Sequence, residues 1–325
     1  MNNCIKRISR VLIIILASGY FLWLFGALVY DGPGLLLTII AAVVLVAAMA
    51  CLKFRRNAWI VLGICTVAVH GWWLCLEPPS TADWQTDVSR LATVEIDGDV
   101  LTFRNVRDFQ YRSETDYESR WIERKVRLSS VTAVDIAINY WGSPWMAHPI
   151  VSFQFSDSAP LAFSIETRKR AGQKYSAIGG LYRQYPLVCI VAEERDVLAL
   201  RGIHRSGEDV YLYRTTMPPD QAQVRLMEYV RTINSLSQHP RWYNAITTNC
   251  TSVIRTQGRD NRLPWDWRML VNGKGDEMMF ELGKFETGGL SFEKLKKQAH
   301  ANAAIKSANG KDDFSTIIRS QTLPK

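Results

Sequence analysis

Three long apolar runs near the N-terminus constrain the fold of this chain more than any other feature. They cover residues 11–30, 34–52 and 58–76, and none contains Asp, Glu, Lys or Arg. Each is close to the ~20 apolar residues with which an α-helix crosses the hydrocarbon core of a bilayer. The sequence therefore predicts a membrane anchor over residues 1–76, made of three transmembrane helices at about these positions.

Basic residues flank these runs in a pattern that predicts their orientation. Three precede the first run and three lie between the second and the third, whereas the turn Asp31-Gly32-Pro33 contains none. Basic residues collect on the cytoplasmic side of membrane proteins, so we expect a cytoplasmic N-terminus and an extracytoplasmic, periplasmic C-terminal part. The basic residues are Lys6, Arg7, Arg10, Lys53, Arg55 and Arg56.

The net charge of +8 mostly reflects these flanking residues. Residues 1–76 contain six of the 39 Lys and Arg but one of the 31 Asp and Glu, which leaves 33 basic and 30 acidic residues in the rest of the chain. Without a dense basic stripe, we expect no nucleic-acid partner. The sequence also lacks metal-ligand spacings such as Cys-x-x-Cys or His-x-x-x-His, so we expect neither a metal site nor a cofactor.

The exported part is predicted to be an α+β domain. Residues 77–99 are a predicted linker and the start of this domain, because Glu77-Pro78-Pro79-Ser80-Thr81 is polar and stiff. Alternation with period two predicts β-hairpins over residues 92–103 and 149–165. Further strands are predicted at residues 125–128, 131–138, 187–192, 197–200 and 209–213. Helices are predicted from Pro218 to about Gln238, from Asn249 or Cys250 onward, and over residues 291–307.

Cys250 is the main candidate for chemistry. At a helix N-terminus, unpaired N–H groups and the positive end of the dipole favour the thiolate form of a cysteine. A thiol nucleophile needs a general base, and His148, at the start of a strand, is the favoured candidate. A buried, inert cysteine is the alternative interpretation. The other exported histidines are predicted in a loop, at a helix end and on a helix surface: His204, His239 and His300.

Two further residues have open interpretations. Glu166 ends the strand that pairs with the strand of His148, so closure of the hairpin would bring the two side chains together and let Glu166 orient the imidazole. Glu166 is equally well explained as a surface partner of the basic residues at positions 168–170. Cys189, in an apolar strand, is predicted to pack as a small hydrophobe, with a disulfide to Cys250 as the alternative.

A series of motifs follows in order over residues 100–310. They are Asn105-Val106-Arg107-Asp108-Phe109, Tyr111-Arg112-Ser113-Glu114-Thr115-Asp116, Tyr140-Trp141-Gly142-Ser143-Pro144 with His148, Ser164-Ile165-Glu166-Thr167-Arg168-Lys169, Tyr182-Arg183-Gln184-Tyr185, Glu194-Arg195-Asp196-Val197, Glu208-Asp209-Val210-Tyr211, Tyr243-Asn244 through Asn249-Cys250-Thr251, and residues 264–268. Together they resemble a bacterial family, the Lnb N-terminal periplasmic domain. The resemblance covers nearly the whole exported part, for which we take residues 100–325 as the domain.

The order of histidine before cysteine is also similar to that of circularly permuted papain-like (NlpC-like) thiol enzymes. The resemblance implies this fold, with Cys250 as nucleophile, His148 as base, Glu166 as orienting group and Asn249 as an oxyanion or supporting residue. Together with the predicted membrane anchor, the resemblance implies a membrane-anchored thiol acyltransferase of the bacterial inner membrane. Such an enzyme would take an acyl group from a phospholipid and pass it to a lipoprotein N-terminus through a thioester. A thiol peptidase or amidase acting on an envelope peptide, and a non-catalytic binding module, remain the alternatives.

Overall fold

The computed structural model describes residues 2–51, 56–248, 266–269 and 272–324, and these divide into two compact units. The first unit comprises residues 1–80, 174–186 and 242–245. The second comprises residues 81–173, 187–241 and 246–325. Asn249, Cys250 and the helix predicted to begin there lie outside the described residues.

Three helices open the first unit: α1 (Asn2–Asp31), α2 (Leu35–Cys51) and α3 (Arg56–Leu74). Among the residues that the structure describes, no helix combines the length and the apolar character needed to cross a membrane. The prediction of three transmembrane helices is therefore wrong. The three helices lie over the three apolar runs, but α1 also includes the basic residues that precede its run, and α2 has 17 residues.

The C-terminal end of α1 is fixed by a cluster of polar and aromatic contacts within the first unit. The carboxylate of Asp31 accepts hydrogen bonds from Trp73 Nε1 at 2.8 Å and from the backbone N–H of Arg183 at 3.0 Å. The ring of Tyr182 stacks on that of Tyr30, with 4.7 Å between centroids and 9° between planes. These contacts bind the segment of residues 174–186 to α1 and α3.

Gly26 is the glycine of α1 that packs directly against Tyr182, so its replacement tests this packing. A Cβ added there would lie 1.9 Å from the hydroxyl of Tyr182, whereas a Cβ at Gly19 of the same helix would meet nothing within 4 Å. Alanine normally stabilises a helix relative to glycine by about 1 kcal/mol. We therefore expect Gly19→Ala to raise the melting temperature slightly and Gly26→Ala to lower it. Equal effects of the two substitutions in differential scanning calorimetry would contradict this packing.

A mixed β-sheet forms the body of the second unit. The strands are β1 (Thr93–Asp97), β2 (Val100–Arg107), β5 (Trp121–Arg127), β6 (Val131–Trp141), β7 (Ser143–Phe155), β8 (Leu161–Thr167), β9 (Leu187–Glu193) and β10 (Glu208–Arg214), with β3 (Gln110–Tyr111) and β4 (Tyr117–Glu118) forming a separate ribbon. In the sheet they run in the spatial order β1-β2-β9-β8-β7-β6-β10, and β5 also pairs with β2. Neighbours are antiparallel except β2 and β9, which meet in a parallel bridge between Arg107 and Ala192. The predicted hairpins β1–β2 and β7–β8 are thus present.

Helices cover both faces of this sheet. On one face α5 (Pro219–Gln238) packs the ring of Tyr229 against Phe153 and Phe163. On the other face lies an apolar core of strand and helix residues that includes Ile150 and Ile305. The remaining helices are α4 (Glu194–Ala199), which continues as a π-helical turn (Leu200–His204), and α6 (Gly275–Glu281), α7 (Phe292–Ala299), α8 (Asn302–Ala308) and α9 (Phe314–Thr322).

The α+β class predicted from the sequence is confirmed, but two local predictions are wrong. Residues 197–200 were expected as a strand and instead belong to α4 and the π-helical turn. The helix expected over residues 291–307 is two helices. The helical conformation is interrupted at His300 and Ala301, where the backbone bonds to β10. There the N–H of Ala301 donates to the carbonyl of Val210 at 2.7 Å.

An ionic cluster is buried at one end of the face that carries α9. The guanidinium of Arg319 donates to Asp135 on β6 at 2.7 Å and to Glu194 on α4 at 2.6 Å. Asp135 is also paired with Arg214, and Glu194 accepts from Ser152 at 2.6 Å. Burial alone would raise the pKa of the Glu194 carboxyl, but the charge of Arg319 and the hydrogen bonds hold it below its ordinary value.

Candidate functional site

His148 lies on β7, on the same face of the sheet as the ionic cluster but toward the other end of that face. It is directly across from Asn139 on β6, and only 7% of the residue is exposed. Successive residues of a strand alternate between faces, so His148 shares its face with Ile150 and Ser152 further along β7. The site therefore stands at the edge of the apolar core, on two of the central strands.

Ser164 and Glu166, on β8, meet the imidazole of His148. Nε2 of His148 lies 2.7 Å from Ser164 Oγ and 3.2 Å from Glu166 Oε1. Ser164 Oγ in turn donates to Glu166 Oε1 at 2.7 Å. The pairing of Ile150 with Ser164 explains this proximity, because two residues further along each strand come His148 and Glu166. The structure thus brings together two of the residues predicted from the sequence.

These contacts determine which nitrogen of His148 is basic. An ionised carboxylate only accepts hydrogen bonds, and a hydroxyl has a single proton to donate. Since Ser164 donates that proton to Glu166, it accepts from His148, which therefore carries its proton on Nε2 when neutral. The lone pair is then on Nδ1, the nitrogen that accepts a proton in general-base chemistry.

Arg201 connects Glu166 to a second carboxylate. From the π-helical turn, its Nη2 donates to Glu166 Oε1 at 2.7 Å, while Nη1 lies 3.6 Å from Glu208 Oε2 on β10. Glu208 also accepts a 2.7 Å hydrogen bond from Asn139 Nδ2. Because β7 and β6 lie between β8 and β10, the guanidinium of Arg201 lies across His148 and Asn139. These side chains form one polar cluster that extends over the four adjacent strands β8, β7, β6 and β10.

Asn139 adds a buried side-chain acceptor to this set. The residue is completely buried, and its Oδ1 has no hydrogen-bond partner among the residues that the structure describes. The hydrogen bond to Glu208 fixes the amide so that the oxygen, and not the nitrogen, is left over. Buried polar groups without partners are rare in folded proteins and are found preferentially at functional sites.

The charge of Glu166 is strongly stabilised. Burial by itself would raise the pKa of its carboxyl. The neighbouring His148 and Arg201 charges, with the hydrogen bonds from His148 and Ser164, instead hold this pKa well below its ordinary value. Glu166 is therefore ionised throughout the neutral range and keeps the Nε2–H of His148 directed toward Ser164.

Removing the charge of Arg201 tests this electrostatic arrangement. We expect Arg201→Gln to raise the pKa of Glu166, because an opposite charge in direct contact is lost. The ionised form of Glu166 would then be lost at higher pH than in the parent. The measurement is a carboxyl ¹³C NMR titration, with the signal assigned by Glu166→Gln. Arg205→Gln is the matched control, since Arg205 pairs with Glu114 and, at 3.5 Å, with Glu208. An equal shift of the Glu166 pKa in both variants would contradict the assignment.

The other candidates lie apart from His148. Cys189 is a free, buried thiol on β9, and it faces the opposite side of the sheet because it pairs with Ile165 rather than Glu166. Burial, with the nearby negative charge of Glu166, raises the pKa of this thiol above its ordinary value, so it is protonated and unreactive. His300 is half exposed and pairs with Asp209 at 3.0 Å. Within the described residues, no group of three His, Cys, Asp or Glu side chains is arranged to hold a metal ion.

Sequence reasoning did not identify Ser164, Arg201, Glu208 and Asn139 as parts of the site. A signal for Ser164 existed, because it lies two residues before Glu166 and so shares its face of β8. Arg201 and Glu208 could not be assigned, since their contacts to Glu166 and Asn139 span 35 and 69 residues. Both residues also lie at the ends of the loop predicted between the strands at residues 197–200 and 209–213.

The fold and the site define an α+β domain with a buried histidine that is oriented by a hydroxyl and a carboxylate. Residues 117–273 of the chain match the family model of the Lnb N-terminal periplasmic domain, which confirms the resemblance found in the sequence. The match describes a periplasmic, envelope-associated protein. No curated protein and no solved structure matches the chain.

Proposed function

We propose that this chain is a periplasmic thiol acyltransferase with Cys250 as nucleophile and His148 as general base. The observation that carries the proposal is the contact of His148 Nε2 with Ser164 Oγ at 2.7 Å and with Glu166 Oε1 at 3.2 Å. With Nε2 bonded to Ser164 and Glu166, the basic Nδ1 is the nitrogen that takes the proton of a thiol. A base oriented by a third group is what thiol acyl-transfer chemistry requires. The resemblance adds Cys250 and, beside it, Asn249 as a supporting residue.

The proposed reaction has two steps. In the first, Nδ1 of His148 accepts the thiol proton of Cys250, the sulfur attacks the carbonyl carbon of an acyl ester, and the ester C–O bond breaks. The proton passes to the leaving alcohol, and a thioester remains on Cys250. In the second, an amine attacks the thioester, the C–S bond breaks, and the amine proton returns through His148 to the thiolate. The products are an amide and the free thiol.

The substrate class follows from the family resemblance. We propose a membrane phospholipid as acyl donor and a lipoprotein N-terminus as acceptor, with water as the acceptor in the absence of an amine. The buried Oδ1 of Asn139, which has no hydrogen-bond partner among the described residues, supports an amine, since an incoming N–H would satisfy it after the thioester forms.

Intact-mass spectrometry after incubation with phospholipid vesicles tests this function. We expect a fatty-acyl adduct on the parent protein that hydroxylamine removes, as it does a thioester. Cys250→Ala should abolish the adduct. Cys189→Ala is the matched control, because it removes the buried thiol on the other face of the sheet and should leave the adduct in place.

Two results would overturn the proposal. One is the absence of an adduct on all three proteins together with an unreactive Cys250 in alkylation by iodoacetamide. The other is an adduct that persists in Cys250→Ala, since the acyl group would then be carried by another residue.

A further inference from the structure

The hairpin that carries His148 contains an irregularity at its tip. Tyr140 pairs with Ala147 and Trp141 pairs with Ser143, so residues 144–146 have no partner on the opposite strand. Such a bulge inserts extra residues into one strand and redirects their side chains out of the ladder. The chain thus leaves the sheet for three residues and re-enters it one residue before His148.

The bulge exposes two large apolar side chains. Trp145 is 50% exposed and Met146 is 42% exposed, whereas Ala147 and His148, which follow them, are buried. An exposed tryptophan and methionine side by side add nothing to the core, and exposed apolar pairs of this kind mark binding surfaces.

The bulge is held firmly in place. The backbone of Gly273 lies so close that a Cβ there would be 2.4 Å from the carbonyl oxygen of Pro144 and 2.4 Å from the carbonyl carbon of Trp145. The hydroxyl of Tyr140 donates to the carbonyl of Gly273 at 3.0 Å. Lys274 then places its ammonium group 5.4 Å from the centroid of the Trp145 ring. The two apolar side chains are therefore displayed on a fixed backbone with a cation beside them.

We propose that Trp145, Met146 and Lys274, which we term the bulge surface, bind the interfacial region of a phospholipid bilayer. Tryptophan favours that region because its ring is apolar and its N–H is polar. The ammonium of Lys274, which also pairs with Glu277 at 3.2 Å, matches the negative charge of headgroup phosphates.

The bulge surface suits a bilayer better than a protein partner. A stable protein interface buries about 800 Å² on each side. Two apolar side chains on three residues of backbone present far less area than that, but inserting them into a bilayer needs no matching surface.

The inference rests on the proposed function and specifies how its lipid substrate reaches the site. Met146 precedes His148 by two residues, or about 7 Å along an extended strand. A phospholipid whose headgroup region contacts the bulge surface would therefore have its ester bonds at the depth of the catalytic base.

Photo-crosslinking to lipid tests the bulge surface independently of activity. The full chain carrying Cys250→Ala is mixed with vesicles of phosphatidylethanolamine and phosphatidylglycerol that include a phosphatidylethanolamine with a diazirine near the top of one acyl chain. After illumination, adducts are located by peptide mass spectrometry. We expect adducts on the peptide of residues 141–148. The double variant Trp145→Ser, Met146→Ser should reduce them roughly tenfold, because two apolar side chains that would insert into the bilayer are lost.

Val224→Ser is the matched control, because Val224 is a 61% exposed apolar residue on α5. It should leave the adducts on residues 141–148 unchanged. Adducts confined to other segments, or equal in the double variant, would overturn the bulge surface and assign Trp145 and Met146 to a protein partner. Such a result beside thioester formation by the parent chain would leave the proposed function standing. Adducts at the bulge without any thioester would support the surface and overturn the enzyme.

Discussion

Replacing His148 with Gln is expected to lower the rate of acylation of Cys250 by about 10²- to 10⁴-fold. Glutamine fills a similar volume and can still meet Ser164, but it has no basic nitrogen to accept the thiol proton. The measurement is the initial rate of thioester formation, followed by intact mass over time. Circular dichroism of the variant should match that of the parent, because the substitution retains a polar partner for the hydroxyl.

His300→Gln provides the control for this result. His300 also faces a carboxylate, Asp209, at 3.0 Å, but it lies at the surface of the second unit away from Ser164 and Glu166. Its replacement should leave the acylation rate unchanged. A His148→Gln variant that retains the parent rate would exclude His148 as the base, and an equal loss in both variants would point to a general effect on folding.

Replacing Arg319 with Met is expected to destabilise the second unit by about 3–5 kcal/mol, the usual cost of leaving a buried charge unpaired. Arg319 donates to both Asp135 and Glu194, and each of these carboxylates is at most 2% exposed. The measurement is unfolding in guanidinium chloride at neutral pH, followed by tryptophan fluorescence. Arg104→Met is the control, because its partners Glu95 and Glu123 are exposed and such pairs contribute little.

The dependence on pH gives a second readout for Arg319. The pKa of Glu194 is lower in the folded chain than in the unfolded chain, so the unfolded state binds more protons in acid. The stability that Glu194 contributes is fully present above its ordinary pKa and is lost as pH falls toward the folded value. In Arg319→Met this acid loss should shrink, since the main cause of the lowered pKa is gone. An unchanged acid profile would show that Arg319 does not stabilise the charge of Glu194.

The part of the site that lies on one hairpin could be predicted from the sequence. Period-two alternation fixed the strands β7 and β8, and their register placed His148 beside Glu166. The contacts of Arg201 could not be predicted, because the apolar residues 197–200 fit a short buried strand as well as a helix turn. Helix formation there, followed by a π-helical turn, is what brings Arg201 across the sheet to Glu166.

The motifs that carry the family resemblance divide into two groups in the structure. Some belong to the site, as Ser164 and Glu166 do. Others are structural, since Arg107 forms a buried bidentate pair with Asp196, which also accepts from the backbone N–H of Phe109 at 2.7 Å. From the motifs alone the two groups cannot be told apart, because a matching motif does not show whether its residues bind, pack or react.

The central position of β7 and β8 has a consequence for how the site moves. Where these two strands pair with each other, from Ile150 with Ser164 to Phe153 with Leu161, β7 also pairs with β6 and β8 also pairs with β9. Amides in such positions exchange with solvent deuterium only through the largest openings of a domain, whereas edge strands and terminal helices open far more often. The backbone at Ile150 and Ser164, two residues from His148 and Glu166, should therefore belong to the slowest-exchanging part of the protein. Substrate entry then depends on side chains and on the chain around the sheet, while the strands that hold the base stay closed.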